Sequence, residues 1–466
     1  MAGKPLGRAR QKPPSEANIL PPVWYVSLTL PKKETIRYMR PEVLLALLTR
    51  ATQGLVLIGA AICVVWRLNP VEQGVFFVYM SLGALLQLSD FGLAYASLQT
   101  ASHMANPGGD GPFRRFRQKA HWLNFRVLSV AAILVGLLGA GILSSRLDAE
   151  HPGTHWMASW AAFLFAVFLT QLVNLELTLI EGGKSPPLAW SVRFFQELLS
   201  GVVFIVALIA GAGLWSLAAY WMVRFAFTAI WLSTTRSGFG KVSTLADTTF
   251  SWQREVWPFQ WKIGLSILCG FLIFQAFNPI VLLEQGPTVA GKFGMSLALM
   301  NMLLMVTTVW PLSQAARYGR LIRHREFDEL RHAFWTMCIA STLVATLGAL
   351  TVFLVLTWMT ERAISYVDRF ADTFTTGLLL TTAVVHHITH CFSVVLRAER
   401  RDPTLPFTVV GSVVLVALVW ICARYGGTRD IALANMALAL PGVPLVIFLY
   451  WRRSGHWVTA SEGRSS

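Results

Sequence analysis

Long apolar runs separated by short polar segments recur from one end of the chain to the other. Twelve of them lie near residues 42–66, 74–101, 121–144, 157–181, 188–211, 214–234, 257–283, 289–313, 333–358, 374–396, 405–424 and 432–451. An α-helix needs about 20 mostly apolar residues to cross the hydrocarbon core of a bilayer, and each run reaches that length. The pattern predicts an all-α polytopic membrane protein with twelve transmembrane helices.

The polar segments alternate in charge. Arg114, Arg115, Arg117 and Lys119 separate the second and third runs, and Arg236, Lys241 and Arg254 the sixth and seventh. Arg317, Arg320, Arg323, Arg325 and Arg331 separate the eighth and ninth; Arg397, Arg400 and Arg401 follow the tenth, and Arg452 and Arg453 the twelfth. The alternate connections are short or acid-balanced: Arg67 with Glu72, Arg146 with Asp148 and Glu150, Arg362 and Arg369 with Glu361, Asp368 and Asp372. Because Lys and Arg concentrate in cytoplasmic loops, both termini are expected in the cytoplasm, with the chain in the cell inner (cytoplasmic) membrane. Residues 1–39 carry seven Lys and Arg, several prolines and no apolar core, which reads as a basic disordered cytoplasmic tail rather than a cleavable signal peptide. Its charges either touch anionic head groups or only enforce topology.

The chain also repeats. Pro70-x-x-x-Gly74-x-Phe76 returns as Pro287-x-x-x-Gly291-x-Phe293, an offset of 217 residues. Pro41 and Pro258, and Pro186 and Pro403, stand at the same offset. With equal span counts, this predicts two parallel six-helix repeats, a transporter architecture with the substrate site between them. The expected plan is a tail at 1–39, a six-helix bundle at 40–235, a cytoplasmic linker at 236–256, a second bundle at 257–452 and a cytoplasmic tail at 453–466.

Composition narrows the class. Of 466 residues 55% are hydrophobic and only 14% charged, with mean hydropathy +0.54, against about 25% charged in a soluble domain. The net charge of +15 is scattered between apolar runs, so no basic face is available for nucleic acid. The five cysteines all fall in apolar runs without a Cys-x-x-Cys spacing, as small packing residues do. There is no nucleophile constellation and no phosphate-binding Gly-Lys-Ser/Thr loop. The outer loops are shorter than about 16 residues, which disfavours a membrane glycan polymerase or ligase. The chain reads as no enzyme and as needing no cofactor.

Several stretches carry the motifs of a known family. The second run, Leu68 to Thr100, carries Pro-x-x-x-Gly-x-Phe, a long apolar stretch and then Ser89-Asp90-Phe91-Gly92-Leu93. Leu179-Ile180-Glu181-Gly182-Gly183-Lys184 resembles that family's exit from the fourth helix, and Ala210-Gly211-Ala212-Gly213-Leu214-Trp215 its fifth-to-sixth hairpin. Ala290-Gly291-Lys292-Phe293-Gly294 with Trp310-Pro311 resembles its eighth helix. Together these stretches resemble the polysaccharide and lipid-linked oligosaccharide (O-antigen-type) flippases of the multidrug/oligosaccharidyl-lipid/polysaccharide exporter (MOP) superfamily, and the resemblance implies a V-shaped transporter, an inverted-V pair of six-helix bundles. Such a pair flips a polyprenyl-pyrophosphate-linked oligosaccharide for cell-surface polysaccharide (lipopolysaccharide-type) biosynthesis by alternating access. Glycan polymerase or glycosyltransferase partners would accompany it. The readings kept beside it are a MATE-like cation-coupled drug antiporter and a non-transporting scaffold of a polysaccharide-synthesis complex.

Such cargo requires cationic groups inside the membrane, where ionisable residues are costly unless used. Arg224, near the middle of the sixth run, is a candidate phosphate or sugar contact or a partner to an acid. Arg50, roughly 12 Å into the first helix at 1.5 Å per residue, is a second cavity cation. Asp90 lies at similar depth on the neighbouring run, so an Arg50–Asp90 pair is expected, as a latch or as structure. Arg193 and Glu197, four apart on one helical face, are expected to neutralise each other, with Glu176 nearby. Lys292 would line the outer mouth, and Gln275 and Asn278 would contact sugar hydroxyls. His386 and His390 share a face at i, i+4 spacing beside His387. They read as a proton relay or as hydrogen-bonding helix packing, and no acid accompanies them to make a metal site. Arg126 and Lys262, close to helix starts, are expected to snorkel.

Overall fold

The computed structural model describes residues 41–104, 110–150, 156–183, 185–235, 252–398 and 403–462. The expected tail at 1–39, Lys184, linker residues 236–251, Arg400 and Arg401 lie outside them. The described residues are almost entirely helical, with no strand among them. In the first half the helices are α1 (Pro41–Arg67), α2 (Pro70–Leu88), α3 (Leu93–Met104), α4 (Asp110–Glu150), α5 (Trp156–Gly182), α6 (Pro186–Ile209) and α7 (Trp215–Thr235). A short α8 (Trp252–Glu255) leads into α9 (Trp257–Phe274), α10 (Phe277–Gln285), α11 (Pro287–Ser313), α12 (Ala315–His324) and α13 (Phe327–Glu361). The second half ends with α14 (Thr373–Arg397), α15 (Leu405–Tyr425), α16 (Thr428–Ala439) and α17 (Gly442–Glu462).

Among the described residues ten helices are long and apolar enough to cross a membrane, eleven if the bent pair α9–α10 is one span. The twelfth expected span is α7, whose apolar character is diluted by Trp215, Tyr220, Trp221, Arg224 and Trp231. Three expected spans are interrupted. The run at 74–101 breaks between α2 and α3, the run at 257–283 bends by 41° between α9 and α10, and Pro441 stands between α16 and α17. A proline cannot donate the helical hydrogen bond and crowds the preceding turn.

The repeated motif proves to be a meeting point. Asn69 caps α2 reciprocally with Glu72, and Pro70 occupies the first turn, where its missing N–H costs nothing. Pro287 starts α11 in the same way. The two starts then pack directly on each other. A Cβ on Gly74 would sit 1.9 Å from the Pro287 carbonyl oxygen, and one on Gly291 would lie 2.9 Å from both Gly74 N and Pro70 O. Glycine is therefore required at both places for backbone to touch backbone. Around this crossing Gln73 donates to the carbonyls of Gly291 (2.8 Å) and Arg369 (2.9 Å), and Arg146 to those of Leu283 (2.8 Å) and Glu284 (3.2 Å). The two halves are thus sealed at the end where α2 and α11 begin. An apolar core built on Val75, Tyr79, Phe163, Phe277 and Phe293 continues the seam inward.

Candidate functional site

A cavity of about 590 Å³ opens beside that seam, walled by α1, α2, α6, α7, the α9–α10 bend and α11. Its lining is mostly apolar, with Phe76, Phe77, Phe204, Tyr220 and Trp221 as its aromatic members. Three charged residues line it, Arg50, Arg224 and Glu197, together with the carboxamides Gln53, Gln87, Gln275, Asn278 and Asn301. The lining carries one net positive charge and many neutral donors and acceptors, which suits an anionic, hydroxyl-rich ligand.

The charged groups form one network. Glu197, buried on α6, pairs with the Arg224 guanidinium of α7, whose side chain is 13% exposed. The Tyr220 hydroxyl, one turn before Arg224, donates to Glu197 Oε1 at 2.9 Å, and Gln53 of α1 donates to Oε2 at 3.2 Å. Arg50 holds the Gln53 amide oxygen at 3.0 Å and is itself exposed. On the far side Arg224 reaches Gln196 Oε1 (3.3 Å), and its cation lies 5.2–5.3 Å from the ring centroids of Trp221 and Tyr220. Taking a buried carboxylate and a guanidinium out of water is costly unless each finds further hydrogen bonds, and the amides and the phenol supply them.

Several expected partnerships are replaced. Asp90 does not meet Arg50. Its carboxylate accepts from the backbone N–H groups of Gly92 (3.0 Å) and Ala94 (2.9 Å) and so caps α3. This follows from the break itself, where Phe91 and Gly92 take φ values of 49° and 75° and leave the amides of α3 needing an acceptor. Arg193 pairs with Glu181 rather than with Glu197, although the four-residue spacing allowed the latter. Glu176 pairs with Arg117 and His121, each at 2.6 Å. Ion pairing here follows which helices are adjacent, and i, i+4 spacing loses to it.

Of the other expected site residues, Gln275 and Asn278 line the cavity, and Asn278 donates to Ser81 Oγ at 3.1 Å. Lys292 and Asp90 are not among the lining residues. His386 and His390 are not either; His386 lies edge-on to Phe274 at 5.3 Å, while His387 between them bonds Ser341 Oγ at 3.0 Å. No group of three or more His, Cys, Asp and Glu that could hold a metal ion occurs among the described residues. Arg126 and Lys262 are exposed, with their charges 3.8 and 5.9 Å from the ring centroids of Trp122 and Trp261. The cavity residues that sequence reasoning missed are Gln53, Tyr220, Gln87 and Asn301. Helical spacing around the flagged arginines pointed to the first two, since Gln53 is three residues after Arg50 and Tyr220 four before Arg224.

No family model matches the sequence, and no curated protein matches it. Solved structures do. An inward-facing multidrug resistance MATE family transporter of the MOP superfamily aligns with a TM-score of 0.60 at 16% identity, over 88% of this chain and 96% of that one. An outward-facing multidrug resistance MATE family transporter of the same superfamily aligns at 0.52 and 15%, over 90% and 97%. A mutant of the Vibrio cholerae MATE transporter VcmN aligns at 0.52 and 13%, over 89% and 98%. Over nearly its whole described length, this chain has the helical fold of the MOP superfamily transporters.

Proposed function

We propose that this protein is an alternating-access flippase for a polyprenyl-pyrophosphate-linked oligosaccharide, spanning the cell inner membrane with both termini in the cytoplasm. The observation that carries the reading is the chemistry of the cavity lining. Two arginines face one carboxylate, that carboxylate is already neutralised, and five carboxamides surround them. Guanidinium groups match phosphate oxygens, amides match sugar hydroxyls, and the apolar wall of α1 and α11 leaves a flank for the polyprenyl chain. Structural neighbours in inward- and outward-facing forms support two access states. A glycosyltransferase that loads the carrier and a polymerase that unloads it are the expected partners.

The second reading is a cation-coupled drug antiporter. The likeness to multidrug resistance MATE family transporters favours it, and Glu197 is the acid through which it would work. Proteoliposomes decide between them. A fluorescent polyprenyl diphosphate glycan is expected to become accessible to an impermeant lectin only when the protein is present. Arg50→Ala is expected to slow that exchange about tenfold, the worth of one hydrogen bond to a charged group. Proton- or sodium-driven extrusion of organic cations without glycan exchange would establish the antiporter instead.

A further inference from the structure

The cavity wall contains an oxyanion receptor that is already filled. Arg224 Nη1, the Tyr220 hydroxyl and Gln53 Nε2 all converge on the Glu197 carboxylate, and all four side chains line the cavity. Guanidinium, phenol and amide are the donors a phosphate oxygen takes. The guanidinium is not exhausted, because Arg224 Nε is buried and has no hydrogen-bond partner. The same chain makes the Arg193–Glu181 and Arg117–Glu176 pairs away from the cavity lining, so neutralising two charges does not by itself require this position.

We propose that Glu197 is an internal stand-in for the phosphate of the substrate. It occupies the Arg224–Tyr220–Gln53 receptor in the empty transporter and yields it to the diphosphate of the lipid-linked glycan. This rests on the flippase reading above. Arg50, exposed in the cavity and bonded to the Gln53 amide oxygen, offers the first cationic contact to arriving cargo. The diphosphate then takes over the donors, and the carboxylate turns into the cavity water. Exchanging one anion for another on the same donors keeps the net gain small. A transporter needs that, since its cargo must bind well enough to enter and weakly enough to leave. The receptor also never stands empty, so no buried guanidinium is left unpaired between cycles.

The test follows the thermal stabilisation of the purified full-length protein by inorganic pyrophosphate and, separately, by a polyprenyl diphosphate. Glu197→Gln removes the charge and keeps the shape, and Glu197→Asp keeps the charge but withdraws it by one methylene. Both are expected to reach half-stabilisation at an anion concentration about tenfold lower than the natural chain. Adding Arg224→Gln to either is expected to cancel the gain. If the glutamine variant does not fold, the aspartate variant carries the measurement. A gain with both ligands assigns the receptor to diphosphate as such, and a gain with the polyprenyl form alone assigns it to the lipid-anchored head group; either supports the stand-in. Unchanged or weaker binding in the variants, with Arg50→Gln still losing affinity, overturns the stand-in and leaves the flippase reading standing. Binding of neither ligand by any form, together with organic-cation extrusion by the natural chain, overturns both.

Discussion

The two halves of this protein share a plan and divide the chemistry. At the 217-residue offset of the Pro-x-x-x-Gly-x-Phe motif, Pro70 answers Pro287 and Gly74 answers Gly291, and these four residues form the crossing itself. The same offset carries Arg50 to Ile267, Gln53 to Gly270, Glu197 to Val414, Tyr220 to Ala437 and Arg224 to Pro441. Every member of the ionic network in the first half is thus replaced in the second by a residue that can neither donate a side-chain hydrogen bond nor carry charge. The second half lines the cavity with Gln275, Asn278, Asn301 and apolar side chains. It makes its own ion pairs, Asp372 with Arg429 at the start of α14 and Arg317 with Glu329. The comparison teaches that the symmetric part of the molecule is the joint between the halves, while the charged lining of the cavity is one-sided.

The joint is the place to expect the largest effect. Gly74→Val forces a side chain into the Pro287 backbone, which cannot retreat as a flexible side chain would. Overpacking of this kind costs about 1–3 kcal/mol, all of it against the sealed arrangement. Glycan exchange should collapse while the protein still reaches the membrane, and cysteine cross-links placed across α2 and α11 should lose yield. Full exchange with undiminished cross-linking would show that the crossing is no gate. Next comes Arg224→Ala, which strands a buried carboxylate. Breaking one side of a buried pair costs about 3–5 kcal/mol, so the unfolding temperature should fall steeply, and Arg224→Ala with Glu197→Ala should recover most of it. A double variant no better than the single one would mean that the pair is not coupled.

Arg50→Ala should separate stability from transport, because Arg50 is exposed and bonds only a neighbouring glutamine. Its unfolding temperature should match the natural chain while exchange falls about tenfold. In the second half, Gln275→Ala should slow exchange by only about fivefold, the worth of one neutral hydrogen bond of about 1 kcal/mol. A larger loss than that of Arg50→Ala would reverse the one-sided assignment. The smallest effect belongs to Asp372. Burial pushes its carboxyl up, but hydrogen bonds from Thr375 and the nearby Arg429 outweigh this and hold it below the usual aspartate range. A depressed folded value stabilises the protein above the ordinary aspartate pKa of about 3.9 and loses that contribution as pH falls through the lowered value. Asp372→Asn should therefore be slightly less stable at neutral pH, and the difference should fade as acidification passes through the lowered range of the folded carboxyl. A gap that persists in acid would assign the effect to packing.

Membrane helices announce themselves because the bilayer sets one length and one polarity for every span, and those two quantities are local to the sequence. For that reason the apolar runs, the paired Pro-x-x-x-Gly-x-Phe motifs and the placing of Arg50 and Arg224 within apolar runs were all legible from residue order. Gln275 and Asn278 line the cavity, as polar groups in a span need a wet or polar neighbour. What residue order could not supply was who meets whom. Asp90, expected beside Arg50, spends its carboxylate on the amides of Gly92 and Ala94, because the helix breaks there. Glu197 is four residues from Arg193 and turns instead to Arg224 on the next helix and Gln53 on another. Depth and periodicity are properties of one helix, whereas an ion pair in low dielectric goes to whichever opposite charge the packing brings within a few ångströms. Adjacency of helices is a tertiary fact, and it decided the site.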